Sequence, residues 1–470
     1  MILRQARAGG MVWAVTLLSA CGSGGPTLRF AVSTPREDYE AQLRHVGLHT
    51  TALGRDWSAA AARALAAPLA VNVPHREARY LDPTRAAAVG YQVRLERGQR
   101  LAVRIELPSA DTHNLRLFVD LYFAPDDLSP PHLVASADTG WGELEYVALR
   151  PGAYVLRVQP ELLRGGRVSV TLSAHASLAF PVVGRDLDAA RSGFGAPRDG
   201  GRREHHGVDI FAPRGTPVLA AVAGRVTRVG SRGIGGNVVW LRETRWGRRL
   251  YYAHLDRFAV EEDTWVQPGD TLGFVGNTGN ARTTPPHLHF GIYQRGEGPV
   301  NPHFHLYEPT ARPPVFVGNP ELVGAWARVA ASGATLRQRS ESRAPVLSRA
   351  PAHTPVEVLG GTGRWYLVRS PDGTTGYTDL SGLRPLEAIH EVPLVAAADI
   401  RTAPSWWGDT MDHLGEGTVV PVLGWFDDQA MVRHPDGPLG WIPAHALPGG
   451  EVAVAPEPAA RVSGVGSPNE

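Results

Sequence analysis

Lysine is absent from this 470-residue chain; all 47 residues counted as Lys or Arg are arginine. Codon usage in a GC-rich genome accounts for that better than a phosphate-binding role would. Cysteine is reduced to one residue, Cys21, which excludes an intramolecular disulfide and a cysteine-based zinc finger. An excess of either charge is missing too. Forty-seven basic against 46 acidic residues leave a formal net charge of +1, so a protein built mainly to coat nucleic acid is excluded and no nucleic-acid partner is expected. No apolar run is long enough to cross a bilayer as a helix. A wholly disordered chain is also excluded, because 43% of the residues are hydrophobic and only 20% are charged. What the chain does have is glycine and proline, 53 and 39 residues, which favour short strands joined by turns over long helices. The length implies about three or four domains.

The position of the one cysteine is informative. Arg4 and Arg7 make a positive start, the apolar run Met11 to Leu18 follows, and Leu18-Ser19-Ala20-Cys21 closes it. This order fits a cleaved signal peptide with small residues at the cut. Leu-Ser-Ala-Cys also resembles a bacterial lipobox, which implies that Cys21 is lipidated and becomes the mature N-terminus. Acyl chains hold a membrane by about 0.8 kcal/mol per buried CH₂. The expectation is therefore a signal segment at 1–21, a lipid-anchored Cys21, and an extracytoplasmic body in the cell envelope. Gly22 to Pro26 read as a flexible tether. The rest of 22–70 is Ala- and Leu-rich, with acidic residues early, and predicts short helices ending near Pro68.

The remaining chain predicts a mainly β, multidomain protein. Over 71–176, strand-like runs alternate with turns, and Arg150-Pro151-Gly152-Ala153 separates two of them. The rhythm suggests an antiparallel sandwich. It resembles the pre-peptidase C-terminal type of jelly roll, which implies a scaffold or docking role. Over 325–448 the sequence repeats. Thr354 to Gly360 recurs as Thr418 to Gly424, Val368 to Gly373 as Val432 to Gly437, and Leu336-Arg337 as Ile400-Arg401, always 64 residues on. A constant offset means two copies of one small unit, here 325–387 and 388–450. Each resembles a bacterial SH3-like (SH3b) barrel, which implies binding to peptidoglycan peptides. Trp365-Tyr366 of the first copy becomes Gln429-Ala430 in the second, so the first copy is expected to offer the better aromatic wall. Residues 451–470, without periodicity, are expected to form a disordered tail.

Chemistry concentrates in 177–312. The chain has 18 histidines, so one alone means little; grouping with an aspartate means more. In His205-His206-Gly207-Val208-Asp209, side chains four apart in an extended chain point the same way, so His205 and Asp209 can reach one cation while His206 faces away. In His287-Leu288-His289, alternation puts both imidazoles on one face of a strand. His254 stands alone at the end of an apolar run. His303-Phe304-His305 is a second H-x-H, read as surface or packing. Arg202 and Arg203 suit an acidic peptide, although loop arginines are usually only solvated.

The order H-x-x-x-D, lone His, H-x-H resembles the M23 family of zinc metallopeptidases, which includes lysostaphin-like and LytM-type endopeptidases. Flanking landmarks agree: Ser192-Gly193-Phe194-Gly195, Ala212-Pro213-Arg214-Gly215-Thr216-Pro217-Val218, Val266 to Asp270 and Gly276-Asn277-Thr278-Gly279. The resemblance covers roughly 181 to 307. It implies an antiparallel β-sheet domain and one Zn²⁺ held by His205, Asp209 and His289. His254 and His287 then remain as catalytic groups, one the general base and the other an oxyanion stabiliser, with His287 the likelier base. Two imidazoles and one carboxylate leave a coordination position open, as catalytic zinc requires. The expected function is hydrolysis of amide bonds in peptidoglycan stem peptides or cross-bridges. The alternatives are a non-catalytic regulator of cell-wall amidases and a wall-binding structural lipoprotein.

Overall fold

The computed structural model describes residues 33–107, 115–127, 129–137, 142–404 and 408–449. Cys21, the expected signal segment at 1–21 and the expected tail at 451–470 lie outside the described residues. Among the described residues, no helix is long and apolar enough to cross a membrane.

Two helices open the described chain. α1 (Pro35–His45) starts at a reciprocal cap in which Thr34 and Glu37 each satisfy the other's backbone N–H. α2 (Ala52–Ala66) starts where the Thr51 side chain accepts from the Gly54 N–H. The alanine-rich face of α2 buries Trp57, Ala60, Ala61 and Ala64. Trp57 meets Phe118 edge-on at 6.1 Å, and its indole N–H donates to the Pro160 carbonyl at 2.9 Å. The helices are thus packed on the following domain rather than strung along a tether.

That domain is two stacked sheets. One has the order 69–70, 89–95, 152–160, 117–124, 132–136; the other runs through 75–81, 166–175, 100–106 and 143–147. Strand Gly166–His175 alternates buried and half-buried positions, as a sheet with one core face should. Gly152–Pro160 is buried almost throughout, because the helices cover its outer face. The second sheet does not stop at the domain edge. Ala78 and Arg79 pair with Gly361 and Gly360 of strand Pro355–Thr362, so sandwich and first small unit share one continuous sheet. The edge strand is thereby covered rather than left open. Beneath the joint, the fully buried Glu77 carboxylate accepts from Arg79 at 3.3 Å and from the Tyr377 hydroxyl at 3.5 Å.

The two small units have the same strand order. In the first it is 326–329, 355–362, 365–369, 375–379, 334–337, 346–350; the second repeats every strand 64 residues later, from His390–Pro393 to Thr410–Leu414. Trp326 of the first unit packs with Leu423, Met431 and Trp441 of the second. Tyr366 does not form the expected open wall. It is 3% exposed, its hydroxyl takes the Asn319 N–H at 2.8 Å, and Phe316 leans on its ring. The incoming linker has covered it.

Between sandwich and repeats lies the sheet that carries the histidines. Seven of its ten strands matter to the site: β1 (Ala190–Ser192), β2 (Val208–Phe211), β3 (Gly224–Arg232), β4 (Gly236–Glu243), β5 (Arg249–Phe258), β6 (Thr271–Val275) and β7 (His287–Gln294). The main order is β1-β2-β7-β5-β4-β3, all antiparallel. Ile210, Leu241, Leu250, Tyr252, Leu288, Phe290 and Ile292 face the core and have no measurable exposure. Their alternates face the other way, into a cleft.

Candidate metal centre and its cleft

The ladder puts the site together. Asp209 on β2 is the direct cross-strand partner of His289 on β7, and Ser192 on β1 pairs with Asp209. His205 approaches from the loop before β2. Its Nε2 lies 3.0 Å from Asp209 Oδ1 and 2.9 Å from His289 Nδ1, and these last two atoms are 3.0 Å apart. Three ligands of one tetrahedral ion at about 2.0–2.1 Å stand roughly 3.3 Å from each other, so the triangle has the size of one tetrahedral face.

The protons decide what the triangle is for. His205 Nδ1 sits 2.8 Å from the Gly193 carbonyl. A carbonyl only accepts, so Nδ1 carries the hydrogen and Nε2 presents a bare lone pair. That lone pair faces a second imidazole nitrogen and a carboxylate oxygen. Two ring nitrogens and a carboxylate oxygen that converge in this way, the His205 nitrogen bare of hydrogen, are a donor set that fits a metal ion. Burial alone would raise the Asp209 carboxyl, but the two imidazoles beside it, His205 and His289, outweigh burial and hold the group well below the usual carboxylate range. Burial lowers the His289 imidazole, which keeps its nitrogen free to coordinate.

Arg198 completes the arrangement, and sequence reasoning missed it. Its Nη2 donates to Asp209 Oδ2 at 2.7 Å and also reaches Ser192 Oγ. One carboxylate oxygen is thus turned to the triangle and the other tied back, a support of the kind that orients metal ligands. Arg198→Ala should weaken metal binding by about 10–100-fold, measured by competition with a chromogenic chelator. An unchanged affinity would show that Asp209 needs no such brace.

His254 and His287 stand beside the triangle. On β7, His287 shares the face of His289, and its Nε2 lies 3.9 Å from Asp209 Oδ1. His254 gets there by a distortion. The β4–β5 register shifts between Asn237–Leu255 and Val239–Tyr252, leaving an extra residue on β5. At that bulge His254 takes φ +61°, the left-handed region that side chains avoid. The flip carries its ring to within 5.1 Å of His287 and 5.9 Å of His289, centroid to centroid. Its Nδ1 donates to the Thr278 carbonyl at 2.8 Å, and His287 Nδ1 donates to the Pro285 carbonyl at 2.9 Å. Both therefore turn a bare Nε2 lone pair away from the backbone. Burial, and then the neighbouring His287 and His289, push the His254 imidazole down to about 4, so it is neutral at ordinary pH. The loop that holds it packs tightly: Gly236 and Gly279 have φ of +63° and +72°, and a side chain on either would strike the other's backbone.

The cleft around these groups has a volume of about 590 Å³. His206 is exposed at its mouth and stands outside the triangle. His305 is buried elsewhere, between Arg248 and Ser177. All five sequence-predicted side chains, His205, Asp209, His254, His287 and His289, line this one cleft.

Comparison with known proteins falls on the same segment. Residues 203–302 match the model of Peptidase family M23, and residues 332–382 match that of the Bacterial SH3 domain. The chain is similar to a DD-carboxypeptidase/endopeptidase, Mpg, of Neisseria meningitidis serogroup B, with 45% identity over 100 residues, 21% of this chain and 22% of that protein. It is similar to an L-Ala–D-Glu endopeptidase of Bacillus subtilis, with 38% identity over 148 residues, 29% of this chain and 44% of that one. The solved catalytic domain of lysostaphin from Staphylococcus simulans shares 33% identity over 23% of this chain and 85% of its own, with a TM-score of 0.22. The chain thus spans less than half the length of these two curated relatives.

Proposed function

We propose that this chain is a zinc-dependent endopeptidase that hydrolyses amide bonds in the peptide part of peptidoglycan. The observation that carries the reading is the convergence of His205 Nε2, Asp209 Oδ1 and His289 Nδ1, three electron-pair donors about 3 Å apart with no hydrogen of His205 between them. A donor set of two neutral imidazoles and one carboxylate, with a net charge of −1, is what a catalytic zinc site uses. When bound there, zinc supplies Lewis acidity to a carbonyl and lowers the pKa of water. The names of the relatives, two of them endopeptidases, support the same reading of the substrate class.

The chain's own residues do the rest. His287 acts as the general base: its Nε2, left bare by the Nδ1 bond to Pro285, lies 3.9 Å from Asp209 Oδ1 at the edge of the triangle and accepts the proton of the attacking water. The same proton then goes to the leaving amine. His254 is neutral, with its one hydrogen committed to Thr278, so its Nε2 is an acceptor. It orients the attacking water through that lone pair, and it becomes a donor to an oxyanion only after taking up a proton.

The lipid anchor at Cys21 remains part of the proposal on sequence grounds, as does an extracytoplasmic location. The two repeats act as SH3-like wall-binding units that raise the local concentration of the polymer. The test is digestion of purified sacculi by the protein lacking residues 1–21, with products read by mass spectrometry. New peptide termini that vanish with chelator and return with zinc are expected. Intact stem peptides and cross-bridges at every zinc level would overturn the reading.

A further inference from the structure

The floor of the cleft changes character away from the histidines. Trp240 on β4, Tyr251 on β5 and Tyr293 on β7 stand on neighbouring strands. Trp240 pairs with Tyr251, and Tyr251 with Gly291, two residues before Tyr293 on the same face. Their ring centroids are 4.6 Å (Trp240–Tyr251), 5.1 Å (Trp240–Tyr293) and 6.4 Å (Tyr251–Tyr293) apart. The row begins at the metal triangle, since Tyr251 meets His289 edge-on at 5.8 Å. Between His289 and Tyr293 the only residue on that face is Gly291, where a Cβ would come within 2.9 Å of the His206 carbonyl and 3.3 Å of the Tyr293 ring. No side chain therefore interrupts the row.

These rings are not part of the buried core cluster. The core is built by their sequence neighbours Leu241, Tyr252 and Ile292, which have no exposure on the opposite face. Trp240, Tyr251 and Tyr293 are only half-buried and line the open cleft. Half-buried rings inclined to one another by 37°, 52° and 83° beside a reaction centre offer aromatic edges and faces to a ligand with weakly polarised C–H groups. An aromatic face is the negative end of a quadrupole and attracts polarised C–H groups. A pyranose offers such C–H groups on its faces, with hydroxyl and amide groups at its rim. The rim finds the exposed Arg249, whose guanidinium lies 5.7 Å from the Trp240 ring centre, and the phenol hydroxyls.

We propose that this aromatic shelf seats the pyranose ring of the amino sugar that bears the stem peptide, so that the cleft reads glycan and peptide together. The inference rests on the peptidoglycan reading above and narrows it. A shelf that starts one ring away from the triangle lies within about two residues of the hydrolysed bond, at roughly 3.3–3.6 Å per extended residue. The scissile amide therefore belongs to the sugar-proximal end of the stem, not to the cross-bridge.

The experiment measures binding rather than turnover. The metal-loaded His287→Ala protein, which keeps the triangle, is titrated calorimetrically with a free stem peptide and with the same peptide on its N-acetylglucosaminyl–N-acetylmuramyl disaccharide. The disaccharide-peptide should bind about tenfold more tightly. Trp240→Ala and Tyr293→Ala, each placed in that background and checked for unchanged metal content, should erase the difference and leave the peptide affinity alone. Equal affinity for both ligands overturns the proposal. So does a substitution that weakens both ligands equally, because the shelf would then hold peptide. Failure to digest sacculi would sink the hydrolase reading without touching this measurement.

Discussion

Asp209→Ala should empty the metal centre and abolish hydrolysis in one step. The bound zinc should fall from about one per chain to near zero, and the rate by about 10³-fold or more, since several kcal/mol of charge stabilisation leave with the ion. The reason is the sharing of one carboxylate. Its Oδ1 closes the triangle with His205 and His289, and its Oδ2 is held by Arg198. Without it, two imidazoles remain beside an unpaired guanidinium, and a cation meets like charge instead of a counter-charge. Asp209→Asn separates the two effects, because it keeps the shape and removes the charge. It too should lose most of the metal. His205→Ala should behave like Asp209→Ala. Elemental analysis of the purified variants, next to the parent stripped by chelator, reads the outcome. Full zinc occupancy in Asp209→Ala would place the ion elsewhere and sink the assignment.

Much of this centre is legible in the sequence because its parts are local. His205 and Asp209 are four apart, and His287 and His289 two apart, so alternation alone puts each pair on one side of the chain. What spacing does not give is which strands become neighbours. The Asp209–His289 pairing joins residues 80 apart in the chain, and only the ladder between β2 and β7 brings them together. The bulge that turns His254 into the cleft is less legible still. In a regular strand His254 would point away from Ala253, which pairs with His289. Arg198 escapes notice because a loop arginine has no pattern; its role appears only once Asp209 has a second oxygen to satisfy. The shelf is hidden for the opposite reason. Trp240, Tyr251 and Tyr293 sit in strand-like runs where an aromatic reads as core, and only the register assigns them to the open face.

The repeats show the same division. The offset of 64 residues is plain from the letters, and six strands of each unit follow it in the same order, the first unit adding a short seventh, Leu383–Pro385. The fate of Tyr366 is not, because what covers it, Phe316 and Asn319, belongs to the linker before the repeat. Nor does composition reveal that Pro355–Thr362 extends the sandwich sheet. Gly360 and Gly361 do leave a clue, since a side chain on Gly360 would strike the Glu77 carboxylate beneath the joint.

Replacing His254 should leave the metal in place, cost most of the rate, and expose a trade of stability for function. The ring stands outside the triangle of donors, so zinc content should match the parent in His254→Ala, His254→Gly and His287→Ala alike. Losing a positioned base or water-orienting group should lower hydrolysis by about 10²–10⁴-fold. The two His254 variants part company in stability. A β-carbon in the left-handed region costs about 1–2 kcal/mol, and glycine is free of that cost while losing roughly 0.5–1 kcal/mol to its extra freedom when unfolded. At φ +61°, His254→Gly should therefore be more stable than His254→Ala by about 1 kcal/mol or less. Denaturant midpoints compare them. A strained histidine is kept only if something repays the strain, and here that is an imidazole lone pair aimed at the cleft. A His254 variant that keeps the parent's rate would mean the bulge serves packing alone. One that loses zinc would mean the ring belongs among the ligands, and the division of labour between triangle and bystanders would have to be redrawn.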